Sequence, residues 1–278
     1  MKLNQINLSI VIGLIIILCP NLSANTKECD HHIRLGLPNN ADQLLCHSGY
    51  AAGYNYQNKS SDWVAYQLTS AQLSKAAVAR KNRWLSNNAI PERFQANSKD
   101  YKNSGFDRGH LAPPSAVGNT VKEMGETFLF SNIVPQKAGF NRYGHLKYGA
   151  WGALERMERA WALKRREIQV YAGPIYKDNA STIGDAVKVP DYFYKVIYDP
   201  KLKAVIAFLL PHNENKANSL PAYITSVDCV EAIVKMDFFE VLSDEIEDDI
   251  ENGMAYDFNH WVMRDNNTDK ISCHAQMI

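Results

Sequence analysis

The sequence carries no excess charge of either sign. Its 278 residues include 30 basic and 30 acidic side chains, so the formal net charge is zero at pH 7. A domain that binds polyanions often shows a strong basic excess, and this chain can offer a basic surface only where its cations are gathered locally. Internal repeats and linkers rich in glycine, serine or proline are also absent from the sequence, which favours a single globular domain.

Glycine-rich phosphate loops are missing as well. Neither the dinucleotide pattern G-x-G-x-x-G nor the Walker pattern G-x-x-x-x-G-K-[ST] occurs in the sequence, which argues against an enzyme with a nucleotide cofactor. Segments with strand and helix patterns follow one another without regular alternation. They predict an α+β fold whose core is a mixed, mainly antiparallel sheet rather than a doubly wound parallel sheet.

The chain has only five cysteines, and its first segment indicates how they should be read. Lys2 precedes an almost unbroken apolar run over residues 8–19, and Ala24 offers a small residue for cleavage, as is typical of a signal peptide. The run is shorter than the roughly 20 residues of a spanning helix, although a retained membrane anchor is the alternative. We expect residues 1–24 to be a signal peptide, residues 25–278 to form one domain, and the mature protein to be periplasmic or secreted.

In an oxidising compartment, an even number of cysteines predicts disulfides. Four cysteines remain after the signal segment, and we expect two pairs that each close one terminal region on itself: Cys29 with Cys46, and Cys229 with Cys273. A zinc site is the alternative for the first pair, although the tight Cys-x-x-Cys or His-x-x-x-His spacing of zinc ligands is absent. The histidines that flank this pair are His31, His32 and His47.

Periodicity places the main secondary-structure elements. Apolar runs and alternating apolar residues predict strands over 63–69, 168–173, 192–198 and 204–210, and helical spacing predicts helices over 148–166 and 226–242. On the first helix, Glu155, Glu158 and Arg159 fall away from the apolar positions. The segment 29–56 is rich in glycine, asparagine and tyrosine, and we expect it to be irregular.

The acidic segment 244–251 has two readings. Leu242, Ile246 and Ile250 are spaced four apart, so the carboxylates between them are expected to line the solvated face of a helix. A calcium loop is the weaker reading, because it needs oxygen ligands that alternate about a glycine.

Catalytic chemistry concentrates near the middle of the chain, in Asp107-Arg108-Gly109-His110. Histidine is the side chain best suited to proton transfer near neutral pH, and arginine grips phosphate with a bidentate fork. The glycine between them is expected to let the backbone bend so that both side chains face one site. A four-residue string alone is weak evidence, and the motifs that follow it decide its meaning.

Two further motifs come next, Ser-Asn-Ile-Val-Pro-Gln at 131–136 and, after Asn141, Trp-x-x-Leu-Glu at 151–155. In this order the motifs resemble those of the DNA/RNA non-specific endonucleases, which are ββα-metal nucleases related to endonuclease G. The resemblance covers roughly residues 29–273. It implies a ββα-metal active-site motif on the sheet core. It also implies an endonuclease that hydrolyses DNA and RNA with little sequence specificity and leaves 5′-phosphate ends.

The resemblance implies a role for each matching residue. His110 would be the general base that activates water. Asn141 would be the one direct protein ligand of a magnesium ion, for which manganese or another divalent ion can substitute. Glu155 would hold waters bound to the metal, and Arg108 and Asn132 would contact the phosphate or orient the site.

Phosphate affinity is expected to come from cations near the motif, because the whole chain has no basic excess. Arg80 matches the family's upstream arginine, which faces the scissile phosphate, and Arg83 competes for that role. Arg142 and Asp107 complete the expected substrate-binding residues. The expected partners are the backbones of DNA and RNA, with no membrane in the mature form. A homodimer and an inhibitor protein are left open.

One departure from the family pattern lies between Asn141 and Glu155. They are 14 residues apart, which is longer than the family spacing, so the extra residues must loop out or lengthen the start of the helix. Gly144 and Gly149 could supply the bends, and His145 could touch substrate or lie in a surface loop. The departure motivates one alternative, a secreted nucleic-acid-binding protein of the same fold that has lost catalysis. A second alternative is a phosphodiesterase restricted to one polymer or structure.

Overall fold

We use a computed structural model of the protein and describe residues 28–39, 41–76, 78–144, 147–213, 216–251, 254–255 and 263–264. The expected signal peptide, His145 and Cys273 lie outside these described residues. None of the helices in the described ranges combines the length and the apolar character that a membrane span requires.

The helices and strands alternate irregularly along the chain. The strands are β1 Gln43–Cys46, β2 Ala51–Asn55, β3 Ser60–Thr69, β4 Asp107–His110, β5 Ile133–Gln136, β6 Tyr143–Gly144, β7 Lys147–Tyr148, β8 Glu167–Ile175, β9 Thr182–Ile183, β10 Val187–Lys188, β11 Tyr192–Asp199, β12 Ala204–Pro211, β13 Ile224–Thr225, β14 Met254–Ala255 and β15 Met263–Arg264. The α-helices are α1 Ser70–Leu73, α2 Ser98–Tyr101, α3 Pro114–Val117, α4 Val121–Thr127, α5 Ala138–Asn141, α6 Ala150–Arg165, α7 Val227–Val234 and α8 Asp244–Glu251. Short 3₁₀ helices span Glu92–Phe94, Phe130–Asn132 and Ala217–Tyr223.

The framework is a seven-stranded sheet in the order β1-β2-β3-β8-β11-β12-β13, in which neighbouring strands are antiparallel. Successive side chains on a strand point to opposite faces. Along β3, Val64 and Tyr66 therefore join one core, while Trp63 and Ala65 join the other. Helix α6 packs against the first core, and α7 and α8 pack against the second. The α+β class with an antiparallel sheet is confirmed.

The strongest sequence patterns match the structure. Strands β3, β8, β11 and β12 occupy the four predicted strand segments, and α6 occupies the first predicted helix. The second predicted helix is too long, because α7 ends at Val234 and Lys235 adopts the left-handed conformation with a φ of 56°. The prediction that 29–56 is irregular is wrong, since β1 and β2 pair there and bury Tyr50 and Tyr54.

A disulfide joins Cys29 to Cys46, as predicted, and ties the N-terminal segment to the end of β1. The alternative of a zinc site is wrong for this pair, because neither sulfur is available as a thiolate ligand. Burial lowers the pKa of the neighbouring His32 to about 4, so this ring is neutral. Cys229 is buried near the start of α7, and its pairing with Cys273 stays a prediction.

The central motif forms two short antiparallel strands and a helix. Strand β4 pairs with β5, with His110 opposite Ile133. Helix α6 packs beside them through Trp151, whose Nε1 donates a hydrogen bond to the carbonyl oxygen of His110 at 3.0 Å. This is the ββα arrangement that the family resemblance implied.

Gly109 serves a different purpose from the expected one. It lies in regular pairing opposite Val134 inside β4, so it is not needed for a bend. A Cβ at this position would lie 2.1 Å from Cδ of Gln136, whose side chain crosses over the strand. The glycine is required because it leaves room for that crossing.

Candidate active site

A cleft of about 1130 Å³ opens beside the β4–β5 pair and α6. Its lining brings together one residue from each of three elements: His110 from β4, Asn141 from the end of α5 and Glu155 from α6. These are the three residues that the sequence assigned to the base, the metal ligand and the holder of metal-bound water. The structure places all three at one cleft.

His110 is held in an aromatic surrounding. Its ring is only 7% exposed and lies 5.4 Å from the ring centroid of Trp84 and 5.2 Å from that of Phe128. Burial, together with the positive charge of Arg80, lowers the pKa of His110 to about 3, so the ring is neutral at physiological pH. Its Nε2 has no hydrogen-bond partner among the described residues. The ring is therefore in the unprotonated form that a general base needs, and the negative charge of a phosphate in the cleft would raise its pKa.

A buried ion pair fixes α6 to the sheet beneath the cleft. Lys195 in β11 donates from Nζ to Oε2 of Glu158 at 2.6 Å, and the hydroxyl of Tyr66 donates to the same carboxylate at 3.1 Å. Lys195 Nζ also lies 4.5 Å from the ring centroid of Trp151, which contacts β4. Helical spacing set Glu158 apart from the apolar positions of α6. The carboxylate is nevertheless buried, because Lys195 on a distant strand gives it a buried partner.

Asn141 is oriented by Asp107. Its Nδ2 donates to Oδ2 of Asp107 at 3.0 Å, which leaves the carbonyl Oδ1 as the atom that can face a cation. Arg142 binds the same carboxylate, donating from Nε to Oδ2 at 2.7 Å and from Nη2 to Oδ1. Asp107 therefore orients Asn141 and Arg142. Its negative charge would repel a phosphate, which disfavours the expected contact with substrate.

Glu155 faces the cleft from the second turn of α6. Burial raises the pKa of this carboxyl to about 7, and the nearby charges of Lys195 and Glu158 act on it in opposite directions, the lysine lowering the pKa and the glutamate raising it. A carboxyl in this position is poised between its two protonation states at neutral pH. A cation in the cleft would favour the ionised form.

The extra residues between Asn141 and Glu155 loop out instead of lengthening α6. They form the two-stranded hairpin β6–β7. Gly144 has a φ of 104° and supplies a bend, as expected. Gly149 is needed for a different reason, because a Cβ there would lie 2.4 Å from the carbonyl oxygen of Phe140.

A second close approach, between α5 and α6, keeps Asn141 and Glu155 at the same cleft although the hairpin separates them in sequence. A Cβ on Gly152 would lie 2.5 Å from the backbone oxygen of Asn141 and 2.8 Å from Cβ of Tyr143. The end of α5 therefore rests directly on the first turn of α6, three residues before Glu155. Asn141 and Glu155 line the same cleft although 14 residues separate them in the sequence.

Asn132 lies behind the site. Its side chain is fully buried, and its Oδ1 accepts a hydrogen bond from the backbone N–H of Ala112 at 2.8 Å. Its Nδ2 donates to the carbonyl oxygens of Ala112 and Thr127 at 2.9 and 3.0 Å. Of the two roles expected for Asn132, the geometry favours orientation of the segment after His110 over direct contact with a phosphate.

Two arginines border His110. Arg80 lines the cleft with its guanidinium carbon 5.3 Å from the ring centroid of Phe128, and Arg108 lines it at 5.5 Å from that of Trp84. Arg83 is exposed and is not among the described residues that line the cleft. The geometry therefore favours Arg80 over Arg83 for the position that the sequence left open between them.

Sequence reasoning missed two cations on α6. Arg156 and Arg159 are exposed and line the cleft beside Glu155. Helical spacing contained the signal, since Gly152, Arg156 and Arg159 lie three or four residues apart and so share one side of a helix. With Arg80, Arg108 and Arg142, they give the cleft a basic border in a chain of zero net charge.

The donor set suits a hard divalent cation. The amide oxygen of Asn141 is fixed by Asp107, and the carboxyl of Glu155 lies on the same cleft. Magnesium keeps much of its water shell and needs only one or two protein oxygens, whereas a structural zinc ion takes four nitrogen or sulfur ligands. These residues therefore fit a magnesium-type ion that is held partly through water.

Comparison with known proteins agrees with this geometry. Residues 30–245 match the family model of the DNA/RNA non-specific endonucleases. A nuclease of Syncephalastrum racemosum is 32% identical over 234 residues, which cover 76% of this chain and 71% of the relative. The mitochondrial nuclease EXOG of Danio rerio is 32% identical over 195 residues, which cover 64% of this chain and 55% of the relative.

A solved structure agrees as well. The crystal structure of an EndoG/EndoGI complex superposes with a TM-score of 0.70 at 28% identity, covering 77% of this chain and 92% of the matched chain. The family match spans most of the described fold and includes all three motifs of the cleft. The chain therefore belongs to the DNA/RNA non-specific endonuclease family, a family of metal-dependent nucleases, and is a hydrolase that acts as an endonuclease.

Proposed function

We propose that this protein is an exported, magnesium-dependent endonuclease that cleaves DNA and RNA with little sequence specificity and leaves 5′-phosphate ends. The observation that carries the proposal is the convergence of His110, Asn141 and Glu155 on one cleft bordered by arginines. Each of the three comes from a different element of the ββα arrangement. Their chemistry matches a base, a metal ligand and a holder of metal-bound water.

His110 acts as the general base. Its neutral ring takes a proton from the attacking water while the water oxygen bonds to phosphorus. The bond between phosphorus and the 3′ oxygen breaks, so the phosphate stays on the 5′ side of the product. Arg80 and Arg108, which border the base, stabilise the negative charge that develops on the phosphate oxygens.

Asn141 would hold the magnesium ion through Oδ1, and Glu155 would hold it through bound waters. Asp107 keeps the amide of Asn141 turned so that its oxygen, and not its nitrogen, is presented. When bound, the ion polarises the phosphate and neutralises charge on the leaving oxygen. Manganese or another divalent ion that prefers oxygen ligands can take its place.

Low sequence specificity follows from the charged contacts that the cleft offers. Five arginines line it, and contacts of arginine with phosphate carry no direct information about the base sequence. The cleft therefore favours a nuclease of both DNA and RNA over a phosphodiesterase restricted to one polymer. A binding protein that has lost catalysis is disfavoured, because the base, the metal ligand and the acidic residue are all in place.

Export and inhibition are further parts of the proposal. The disulfide Cys29–Cys46 is typical of an oxidising compartment, which supports residues 1–24 as a signal peptide and a periplasmic or secreted mature protein. An inhibitor protein is a proposed partner, because the structural relative is an EndoG solved in complex with EndoGI in a study of EndoG inhibition.

The substitution His110→Ala tests the proposal. We expect the cleavage rate of both polymers to fall by about 10²–10⁴-fold, the usual contribution of general base catalysis, while the midpoint of thermal unfolding stays near that of the wild type. The exposed His31 offers a matched control, and His31→Ala should keep the wild-type rate. Cleavage by His110→Ala at the wild-type rate would overturn the assignment of the base.

A further inference from the structure

The face of the sheet opposite the cleft carries a second group of acidic side chains, which we call the α7–α8 carboxylate cluster. It consists of residues from α7, from the segment that follows it and from α8: Asp228, Glu231, Asp237, Glu247 and Glu251. The carboxylate oxygens of Asp228, Glu231 and Glu251 lie within 4.8 Å of one another, and so do those of Asp237, Glu247 and Glu251. Glu251 belongs to both groups and is the centre of the cluster.

Helix packing brings these side chains together. Ile250 is 2% exposed and anchors α8 in the core that also contains Val230 of α7. Glu247 and Glu251 are four residues apart on α8, so both lie on one side of that helix and turn towards α7. The sequence predicted that the acidic residues of 244–251 would all be solvated. That prediction is wrong for Glu251, because α7 packs over it.

The position of Glu251 is the observation that points to a ligand. The residue is only 9% exposed, and its Oε1 is buried without a hydrogen-bond partner among the described residues. Oε1 of Glu247 is likewise buried without a partner. In the part of the chain that the structure describes, none of the five carboxylates forms an ion pair.

Within the described part of the chain, backbone N–H groups donate hydrogen bonds to only two of the five carboxylates. The N–H of Phe238 donates to Oε1 of Glu231 at 2.8 Å, and the N–H of Phe239 donates to Oδ1 of Asp237 at 3.2 Å. These two bonds hold their carboxylates in place but add no positive charge. Carboxylates this close repel one another strongly where solvent is excluded. Buried charges of one sign are normally paired or coordinated to a metal.

We propose that the α7–α8 carboxylate cluster is a calcium-binding site, separate from the catalytic cleft, that stabilises the packing of α7 and α8 on the sheet. Calcium takes six to eight oxygen ligands, accepts carboxylates in one- or two-oxygen contacts and tolerates irregular geometry. The two groups of three carboxylates that share Glu251 offer oxygen ligands of this kind from three segments. Magnesium demands a near-ideal octahedron and gives up its water reluctantly, so it suits this crowded acidic cluster less well.

The exposure of the cluster also suits an exchangeable ion. Asp228 and Asp237 are exposed, Glu231 and Glu247 are intermediate, and Glu251 is buried. The cluster therefore forms a path from solvent to a buried carboxylate. If the protein is exported, as proposed above, the expected dissociation constant is that of extracellular calcium sites, about 10⁻⁴–10⁻³ M.

Thermal unfolding of the purified protein, freed of metal with a chelator, tests this proposal. Calcium at tenfold excess over its dissociation constant should raise the midpoint by about 3–6 °C, and magnesium at equal ionic strength should raise it less. Titration calorimetry on Asn141→Ala, which lacks the proposed metal ligand of the cleft, should show one calcium site. The variant Glu251→Gln should lose the calcium response.

Two controls separate this site from its surroundings. Glu245→Gln removes an exposed carboxylate of the same helix and should leave the calcium response unchanged. Asn141→Ala removes the proposed ligand of the cleft and should also keep it, so that failure of the cleft assignment and failure of the calcium site can be told apart. Equal calcium responses of Glu251→Gln and the wild type would overturn the proposal, and so would loss of the response in Asn141→Ala. If Glu251→Gln does not fold, calorimetry on Glu231→Gln decides, with calcium binding weakened at least about tenfold as the expected result and unchanged binding as the contrary one.

Discussion

The two faces of the central sheet both bury a glutamate, and they compensate its charge in opposite ways. On the face that carries α6, Glu158 is paired with Lys195 at 2.6 Å, and both side chains are fully buried. On the face that carries α7 and α8, Glu251 is surrounded by other carboxylates and has no ion-pair partner among the described residues. On the first face, Lys195 neutralises the glutamate within the protein. On the second face, neutralisation of Glu251 requires a proton or a cation from solution.

The difference matters because the paired glutamate lies under the catalytic cleft. The ring of Trp151 contacts Nζ of Lys195, and its Nε1 donates a hydrogen bond to the carbonyl oxygen of His110. A charge that is neutralised within the protein keeps this support independent of solution conditions. The α7–α8 carboxylate cluster lies away from the chemistry, where dependence on an ion affects stability before it affects catalysis.

Lys195→Met should have the largest effect on stability. It leaves a buried glutamate, Glu158, without a cation on the α6 face, as on the face that carries α7 and α8. Removal of one partner from a buried ion pair costs about 3–5 kcal/mol. Denaturant unfolding measures this loss. The double variant Lys195→Met/Glu158→Gln removes both charges and should recover much of the stability. A single variant as stable as the wild type would show that the pair does not support α6.

Gly152→Ala should have the next largest effect. The added Cβ would meet the backbone oxygen of Asn141 at 2.5 Å, so α5 and α6 must move apart. Overpacking of this kind costs about 1–3 kcal/mol, and magnesium affinity should fall with it.

A matched control exists for that substitution. A Cβ on Gly125, inside α4, would meet nothing within 4 Å. Gly125→Ala should therefore raise stability by about 0.5–1 kcal/mol through better helix propensity. Equal effects of the two substitutions would contradict the role of Gly152 in placing Asn141.

The pH dependence of metal binding should show a smaller, graded effect. The pKa of Glu155 is raised to about 7, so the carboxyl is neutral below that pH and ionised above it. A proton competes with the cation, and apparent magnesium affinity should be constant above about pH 7 and fall about tenfold for each pH unit below it. His110, with its pKa lowered to about 3, stays neutral throughout.

Calorimetric titration with magnesium between pH 5 and pH 8, about two units on the acid side and one on the basic side of that pKa, measures this dependence. Glu155→Gln has no carboxyl to titrate, so its weaker affinity should be independent of pH. A wild-type affinity without any change across this range would show that Glu155 takes no part in holding the ion.

The parts of the fold that the sequence predicted are those in which local pattern and tertiary position agree. Strands β8, β11 and β12 are covered on both faces, and continuous apolar runs announce them. The segment with β1 and β2 has no such continuous run, because its buried positions are occupied by Leu45, Tyr50, Tyr54 and small residues. Strand formation there depends on pairing with β3, which no local pattern reveals.

In the candidate site, too, some residues could be predicted from the sequence and others could not. His110, Asn141 and Glu155 could be assigned because family motifs mark them. The residues that orient them could not be predicted. Asp107 was expected to bind substrate, yet it binds Asn141, and this contact spans 34 residues of sequence. The pairing of Glu158 with Lys195 in β11 depends on a strand 37 residues further along the chain, so helical periodicity alone could not show that the glutamate is buried.

The central claim is that Asn141 holds the catalytic metal. The extra residues between Asn141 and Glu155 form the hairpin β6–β7, and both residues still line the cleft. Magnesium dependence of DNA and RNA cleavage, measured for Asn141→Ala beside the wild type, tests the claim most directly. We predict that the variant keeps its fold, needs much more magnesium, and loses activity at limiting metal by about 100-fold or more. An unchanged magnesium dependence in Asn141→Ala would contradict the account.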